Sequence, residues 1–249
     1  MARAGSERLD AALVARGLVE SRERAQALIL AGRVFAGERR LDKPGQRIAE
    51  DLAVEVRGGT MPWVSRGGLK LAGALDRFAI DPADMVALDV GASTGGFTDV
   101  LLARGAARVY AVDVGHGQLA WKLRQDPRVI VLERTNARHL TAAEIPETVD
   151  IVVCDASFIG LETVLPTPLG FARAGAWLVA LIKPQFEVGK GRVGKGGIVR
   201  DPELHREVCE RIRAWVDGLP GWGTVGIAES PIHGADGNVE FLIAARRDR

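Results

Sequence analysis

The rhythm of apolar and polar positions changes near residue 60. Over residues 8–17, Leu9, Ala12 and Leu13, continued by Leu18, line one face of a helix that Gly17 closes. Ser21 offers a capping oxygen to a second helix, whose apolar face is Ala25, Leu28 and Ile29 and which Gly32 ends. Val34-Phe35 and the alternating Leu52–Val56 read as short strands, with turn residues at Gly37 and Pro44-Gly45 between them. This predicts a small α+β module over residues 1–58, a linker over 59–65 and a second domain over 66–249.

In the second domain, strands alternate with helical segments. Val86–Val90, Arg108–Val112, Val129–Leu132, Asp150–Cys154 and Ala176–Ile182 are the expected strands, with late ones near 223–229 and 239–245. Helices are expected over 97–104, 119–123, 161–172 and 202–217. Such alternation predicts an α/β fold with a mostly parallel sheet covered on both faces.

Composition narrows the class. Of 249 residues, 47% are hydrophobic, enough for a sizeable core and against disorder. Cys154 and Cys209 are too few for a disulfide framework and lack metal-ligand spacing, so neither a metal nor an oxidising compartment is expected. The charged stretch Met1–Asp10 argues against a secretory leader, and the longest apolar run, Ala174–Ile182, is too short to span a bilayer. A cytoplasmic location fits best. The formal net charge is +1, and residues 1–58 carry 11 Lys and Arg against 9 Asp and Glu, so any affinity for nucleic acid must come from local patches.

The chemistry begins where the first buried strand ends. Asp89-Val-Gly-Ala-Ser-Thr-Gly-Gly-Phe-Thr98 is a strand followed by a glycine-rich turn that opens a helix. Ligands of open α/β sheets sit outside the carboxyl ends of the strands, and Gly91, Gly95 and Gly96 let the backbone approach one closely. The turn lacks the Gly-x-Gly-x-x-Gly pyrophosphate fingerprint and suits a ligand without phosphates, in particular the methionine part of S-adenosylmethionine. Asp113, at the end of the next strand, stands where a carboxylate accepts from the ribose hydroxyls of an adenosine. Asn136, after the third strand, reads equally as an adenine-edge partner or as a turn residue.

Asp155 and Lys183 follow the fourth and fifth strands, so both should face the same crevice. Lys183 directly follows the apolar Leu178–Ile182, which favours a partly desolvated amine able to act as a base; a salt bridge with Asp155 is the competing reading. Lys70 on the helix before the first strand and Glu240 at the start of the last complete a Lys-Asp-Lys-Glu order. Methyl transfer to a ribose 2′-hydroxyl would use such a set, because that weak nucleophile needs its proton removed and its developing charge stabilised. Exocyclic amine acceptors call for a different loop than Asp155-Ala-Ser-Phe158, and carbon-5 chemistry needs a cysteine nucleophile, for which core-like Cys154 and helical Cys209 are unsuited.

These residues, with Trp63-Val-Ser-Arg-Gly-Gly68, Gly117-Gln-Leu-Ala-Trp121, Glu133-Arg-Thr-Asn136 and Lys183-Pro-Gln-Phe-Glu-Val-Gly-Lys190, resemble the TlyA family. That family joins an S4-like RNA-binding domain to an FtsJ-like methyltransferase domain, and its names point both to hemolysin and to rRNA (cytidine-2′-O)-methyltransferase. The resemblance implies a Rossmann-like, S-adenosylmethionine-dependent methyltransferase fold preceded by a small α+β S4-like domain. It implies a catalytic tetrad of Lys70, Asp155, Lys183 and Glu240, and a cofactor held by Gly91, Ala92, Ser93, Gly95, Asp113, Asn136 and Asp155. The target it implies is a cytidine of large-subunit ribosomal RNA. The chain stops nine residues after Glu240, like the shorter members, so the small subunit is not expected as a second target.

For RNA contact, the glycine-rich stretch 183–200 supplies Lys190, Arg192, Lys195 and Arg200 beside the expected site, and Arg66 precedes the Lys70 helix. Arg22, Arg24 and Arg33 give the first module a basic surface, which without the resemblance reads as a solvated face. Tyr110 is the only tyrosine and is expected in the core, so no aromatic stacking platform is evident. The expected partner is ribosomal RNA or a ribosomal subunit, with no membrane and no obligatory protein partner. Competing readings are a methyltransferase of small molecules, a non-catalytic ribosome assembly factor and a membrane-active protein.

Overall fold

A computed structural model describes residues 5–19, 21–57, 62–189, 191–234 and 237–248. The chain divides into two compact units, residues 1–62 and 63–249. Residues 59–61 of the expected linker, and residue 58 before them, lie outside the described residues.

In the first unit, strand β1 (Ser6–Arg8) leads into helix α1 (Leu9–Ala15), and helix α2 (Arg22–Leu30) follows. Ser21 Oγ accepts the Arg24 amide at 3.2 Å, as its place before an apolar periodic run suggests. Two small antiparallel sheets complete the unit. One pairs β1 with β4 (Arg47–Ala49); the other has the order β3 (Arg39–Arg40), β2 (Val34–Ala36), β5 (Glu55–Val56). Leu9, Leu13, Ala25, Ile29 and Val34 are buried together at the centre. Leu52–Val54, expected as strand, is irregular; only Glu55–Val56 pairs.

The second unit is a seven-stranded sheet. Helix α3 (Gly67–Arg77) precedes β6 (Val86–Val90), α4 (Gly96–Ala103), β7 (Arg108–Val112), the one-turn α5 (Trp121–Arg124) and β8 (Val129–Leu132). The chain continues through β9 (Val149–Cys154), α6 (Leu161–Val164), α7 (Pro166–Gly170), β10 (Ala172–Ile182), α8 (Pro184–Glu187), α9 (Pro202–Asp217), β11 (Trp222–Glu229) and β12 (Phe241–Arg247). The sheet order is β11-β12-β10-β9-β6-β7-β8. Strands β6 to β10 run parallel, whereas β12 pairs antiparallel with both β10 and β11.

Strand alternation fills both faces. Leu88, Val90, Val152 and Leu178 belong to one buried cluster, and Ala87, Ile151, Val153 and Val179 to the other. The order reverses beside β6: β7 lies on one flank and β9 on the other. A crevice therefore opens at their carboxyl ends, the usual ligand position in such sheets.

Several boundaries differ from the apolar pattern. The single helix expected over 161–172 is two short helices, because Pro166 and Pro168 lack the amides a continuous helix needs. The helix expected over 119–123 is the single turn α5. Strand β10 begins at Ala172 rather than at 176, and Glu240 lies just before β12 rather than within it. No helix among the described residues is long and apolar enough to cross a membrane.

Candidate active site

The glycine-rich turn occupies the crevice. Gly91 has φ +81° and Gly95 φ +94°, conformations that favour glycine. A Cβ on Gly91 would stand 2.9 Å from Ala156 Cα, so the turn after β6 lies directly against the loop after β9. On Gly96 a Cβ would approach the Gly68 amide to 2.9 Å, which shows how closely the start of α4 packs on the start of α3.

Two adjoining cavities flank this turn and share Gly91, Ser93, Asp155, Ser157 and Phe158. One, of about 480 Å³, is lined by Val90, Asp113, Gln118 and Asn136 as well. The other, of about 500 Å³, is lined by Arg66, Lys70, Lys183, His233 and Glu240. Both are the size of small-molecule sites.

The four residues expected to form a tetrad line the second cavity as two ion pairs. Lys70 Nζ lies 2.5 Å from Glu240 Oε2, and both side chains are buried. Lys183 Nζ lies 2.7 Å from Asp155 Oδ1 and donates to Ser157 Oγ at 2.8 Å and to the Asp155 carbonyl at 3.1 Å. The salt-bridge alternative for Lys183 is thus the contact the structure shows. The Asp155 approach is an ion contact off the hydrogen-bonding direction, leaving Oδ1 buried without a hydrogen bond among the described residues. Ser157 and His233 had no signal of their own in the sequence; their places follow from the loops around them.

In the first cavity, the Asp113 carboxylate accepts the Ser93 amide at 2.8 Å and the Gly115 amide at 2.7 Å. These donors fix its orientation and leave further lone pairs for hydroxyl donors. Asn136 lines the cavity, yet its side-chain oxygen accepts the Arg138 amide at 3.1 Å and caps a short turn, so the turn-residue reading applies to that oxygen. Ala92, Ser93 and Thr94 line the neighbouring tetrad cavity.

Beneath the turn, Asp89 is fully buried. Thr98 Oγ1 donates to its Oδ2 at 2.7 Å, and Oδ1 has no hydrogen-bond partner among the described residues. Burial pushes its carboxyl up to about 7. Cys154 is buried beside it and its thiol is pushed up to about 12 by burial, which removes it as a nucleophile at neutral pH.

The residues fit S-adenosylmethionine on three counts. A cradle at Gly91 and Gly95 admits no side chain, an oriented Asp113 stands at the second strand end, and the adjoining cavity leads directly to buried amines and carboxylates.

Basic residues expected to meet RNA divide into two groups. Lys195, Arg200 and Arg33 are exposed and Arg24 is half-buried. Arg192, by contrast, is held by Glu207 through two contacts of 2.5 Å. Arg22 is engaged by the buried Asp10, which also accepts from Arg8 and Gln26. The Arg8 hydrogen bond, with those of Gln26 and Arg22, holds the Asp10 carboxyl well below the usual range. Arg66 Nη2 reaches the His233 carbonyl at 3.4 Å. Lys190 lies outside the described residues.

Tyr110 is buried, as expected, and two other aromatic rings are exposed. Phe158 is 89% exposed, has φ +66°, lines both cavities and packs with its ring centroid 5.0 Å from that of Phe186 at a tilt of 47°; Trp121 is 71% exposed.

Comparisons with known proteins agree with this architecture. The model of the FtsJ-like methyltransferase family matches residues 63–247, and that of the S4 domain residues 7–54. The chain is 52% identical over 240 residues to the 16S/23S rRNA (cytidine-2'-O)-methyltransferase TlyA of Mycobacterium tuberculosis, across 96% of this chain and 89% of that relative. It is 41% identical over 239 residues to Hemolysin A of Brachyspira hyodysenteriae, across 94% of this chain and 98% of that one. A solved structure named as a hemolysin of Streptococcus thermophilus superimposes with a TM-score of 0.75 at 42% identity, covering 98% of this chain and 90% of that one.

Proposed function

The chain belongs to the FtsJ-like methyltransferase family, and from this we propose that it methylates the 2′-hydroxyl of a cytidine ribose in ribosomal RNA, foremost that of the large subunit. The observation that carries the reading is the adjacency of the two cavities: a cradle for S-adenosylmethionine opens onto two buried Lys–carboxylate pairs. When bound, the cofactor supplies a methyl group on a positively charged sulfur.

The protein's own part is alignment and proton removal. Gly91 to Gly95 and Asp113 hold the cofactor, with Ala92, Ser93, Asn136 and Asp155 around it. Lys183 serves as the base that takes the 2′-hydroxyl proton onto Nζ, which requires the amine to have given up its own proton first. Asp155 and Ser157 fix where Nζ stands, while Lys70, oriented by Glu240, offers positive charge to the developing oxyanion. Burial of Lys70, Lys183 and Glu240 strengthens these interactions. Exposed Phe158 offers a face on which a base can stack at the mouth of both cavities.

Arg24, Arg33, Arg66, Lys195 and Arg200 supply phosphate contacts, with Arg22, Lys190 and Arg192 as further members of the same basic set. The partner is ribosomal RNA or an assembled subunit, in the cytoplasm, with no membrane and no obligatory protein partner required.

The test is site mapping of 2′-O-methyl groups on ribosomal RNA from cells with and without the gene, repeated with Lys183→Ala. A modified cytidine should vanish in both cases, and purified Lys183→Ala should bind cofactor while losing transfer on the order of 10²- to 10⁴-fold. An unchanged methylation map, or a variant that still transfers at the wild-type rate, would sink the reading. A modified site on the small-subunit RNA alone would refute the large-subunit assignment.

A further inference from the structure

Lys183 and its partners sit on two different loops, and something must hold those loops in register. Lys183 lies between β10 and the one-turn helix α8, which it caps at the N-terminus, whereas Asp155, Ser157 and Phe158 lie between β9 and α6. Glu187, the last residue of α8, bridges them. Its Oε1 accepts the amide of Leu161, the first residue of α6, at 2.8 Å. Its Oε2 accepts Arg211 Nη2 of α9 at 2.8 Å, and the same nitrogen donates to the Glu187 carbonyl at 3.1 Å. Arg211 Nη1 in turn contacts Glu162 Oε2 of α6 at 2.7 Å.

The Glu187 side chain is only 4% exposed and lines neither cavity, so it touches no substrate. A buried carboxylate is costly unless paired and hydrogen-bonded, and here every partner belongs to α6, to α9 or to its own turn. Gly160 completes the fit: a Cβ there would come within 3.2 Å of Glu187 Oε2.

We propose that Glu187, backed by Arg211, is a positioning residue that pins the Lys183 turn to the start of α6 and thereby sets Lys183 Nζ against Asp155 and Ser157. It acts through the backbone of α8, four residues from the amine, and through the Leu161 amide, which closes the loop bearing Asp155. Misplacing a reacting group by about 1 Å costs on the order of 10²-fold in rate, so loosening this clamp should be felt in turnover and not in cofactor affinity. The proposal rests on the methyltransferase reading above.

Its test compares Glu187→Ala with Glu187→Gln, whose amide oxygen can still accept from Leu161. Glu187→Ala should lower kcat by roughly 10- to 100-fold, with KM for cofactor and RNA within about twofold of wild type, and Glu187→Gln should recover most of the rate. In a crystal structure of Glu187→Ala, Lys183 Nζ should have left Ser157 Oγ. A lysine still bonded to Ser157 and Asp155, an unchanged kcat, or a loss residing wholly in cofactor affinity overturns the proposal. If the alanine variant does not fold, Arg211→Met is read by the same two measurements, with an intermediate loss of kcat expected and an unmoved lysine again decisive against it. Wild-type protein that methylates no RNA would refute the functional reading alone, since the position of Lys183 in the variants still decides this one.

Discussion

Asp89 shows how one buried residue can carry a pH signature. It is fully buried, with one oxygen on Thr98 and the other without a hydrogen-bond partner among the described residues, and burial raises its carboxyl from 3.8 to about 7. Because the folded value lies above the unfolded one, the stability associated with this group is full below about 3.8 and is lost as pH rises through about 7. Asp89→Asn keeps an acceptor for Thr98 and cannot ionise, so that loss should disappear. Denaturant unfolding at about pH 4 and about pH 8 checks this: the variant should gain on the wild type at the higher pH, and parallel pH profiles would contradict it. The sequence marked Asp89 only as part of a turn motif; its burial and its half-satisfied carboxylate depend on β7, β9 and α4 closing around β6. Lys183 and Asp155 were legible as site residues for the opposite reason. A polar residue directly after a buried apolar run must emerge at a strand end, and in a parallel sheet the strand ends share one crevice.

At the scale of elements, the junction between β6 and α4 is the most constrained piece of backbone in the site. Gly95 has φ +94°, and a Cβ there would overlap the Leu123 and Leu119 side chains. Gly95→Ala should therefore destabilise the fold by roughly 1–3 kcal/mol, from backbone strain and overpacking, and weaken cofactor binding as well. Thermal unfolding and equilibrium dialysis with S-adenosylmethionine measure both effects, and a variant matching wild type in the two assays would contradict the cradle. This turn was visible in the sequence because it is local: strand, glycines and helix are contiguous. Helix lengths were less visible. Pro166 and Pro168 split the expected 161–172 helix, while its start at Leu161, where the Glu187 carboxylate accepts the amide, falls at the expected residue.

Over the whole molecule the net charge is only +1, so RNA affinity must depend on which cations are left unneutralised. Arg200 is exposed, whereas Arg192 is already neutralised by Glu207. In a salt titration of RNA binding, Arg200→Ala should reduce the slope of log K against log salt by about 0.7–0.9, and Arg192→Ala by clearly less. Equal effects would mean that the Glu207 pairing does not survive on RNA. What the sequence determined by itself is what contiguous residues encode: the strand and helix order, the glycine turn, the acidic and basic residues at strand ends, and the change of rhythm near residue 60. Tertiary structure decided that Lys70 pairs with Glu240, since the two are 170 residues apart and meet because α3 packs beside the start of β12. It likewise decided the antiparallel entry of β12, the exposure of Phe158 and the Glu187–Arg211 clamp. The physical reason is that local spacing fixes which face a side chain takes on its own element, whereas its partners are chosen by how distant elements pack.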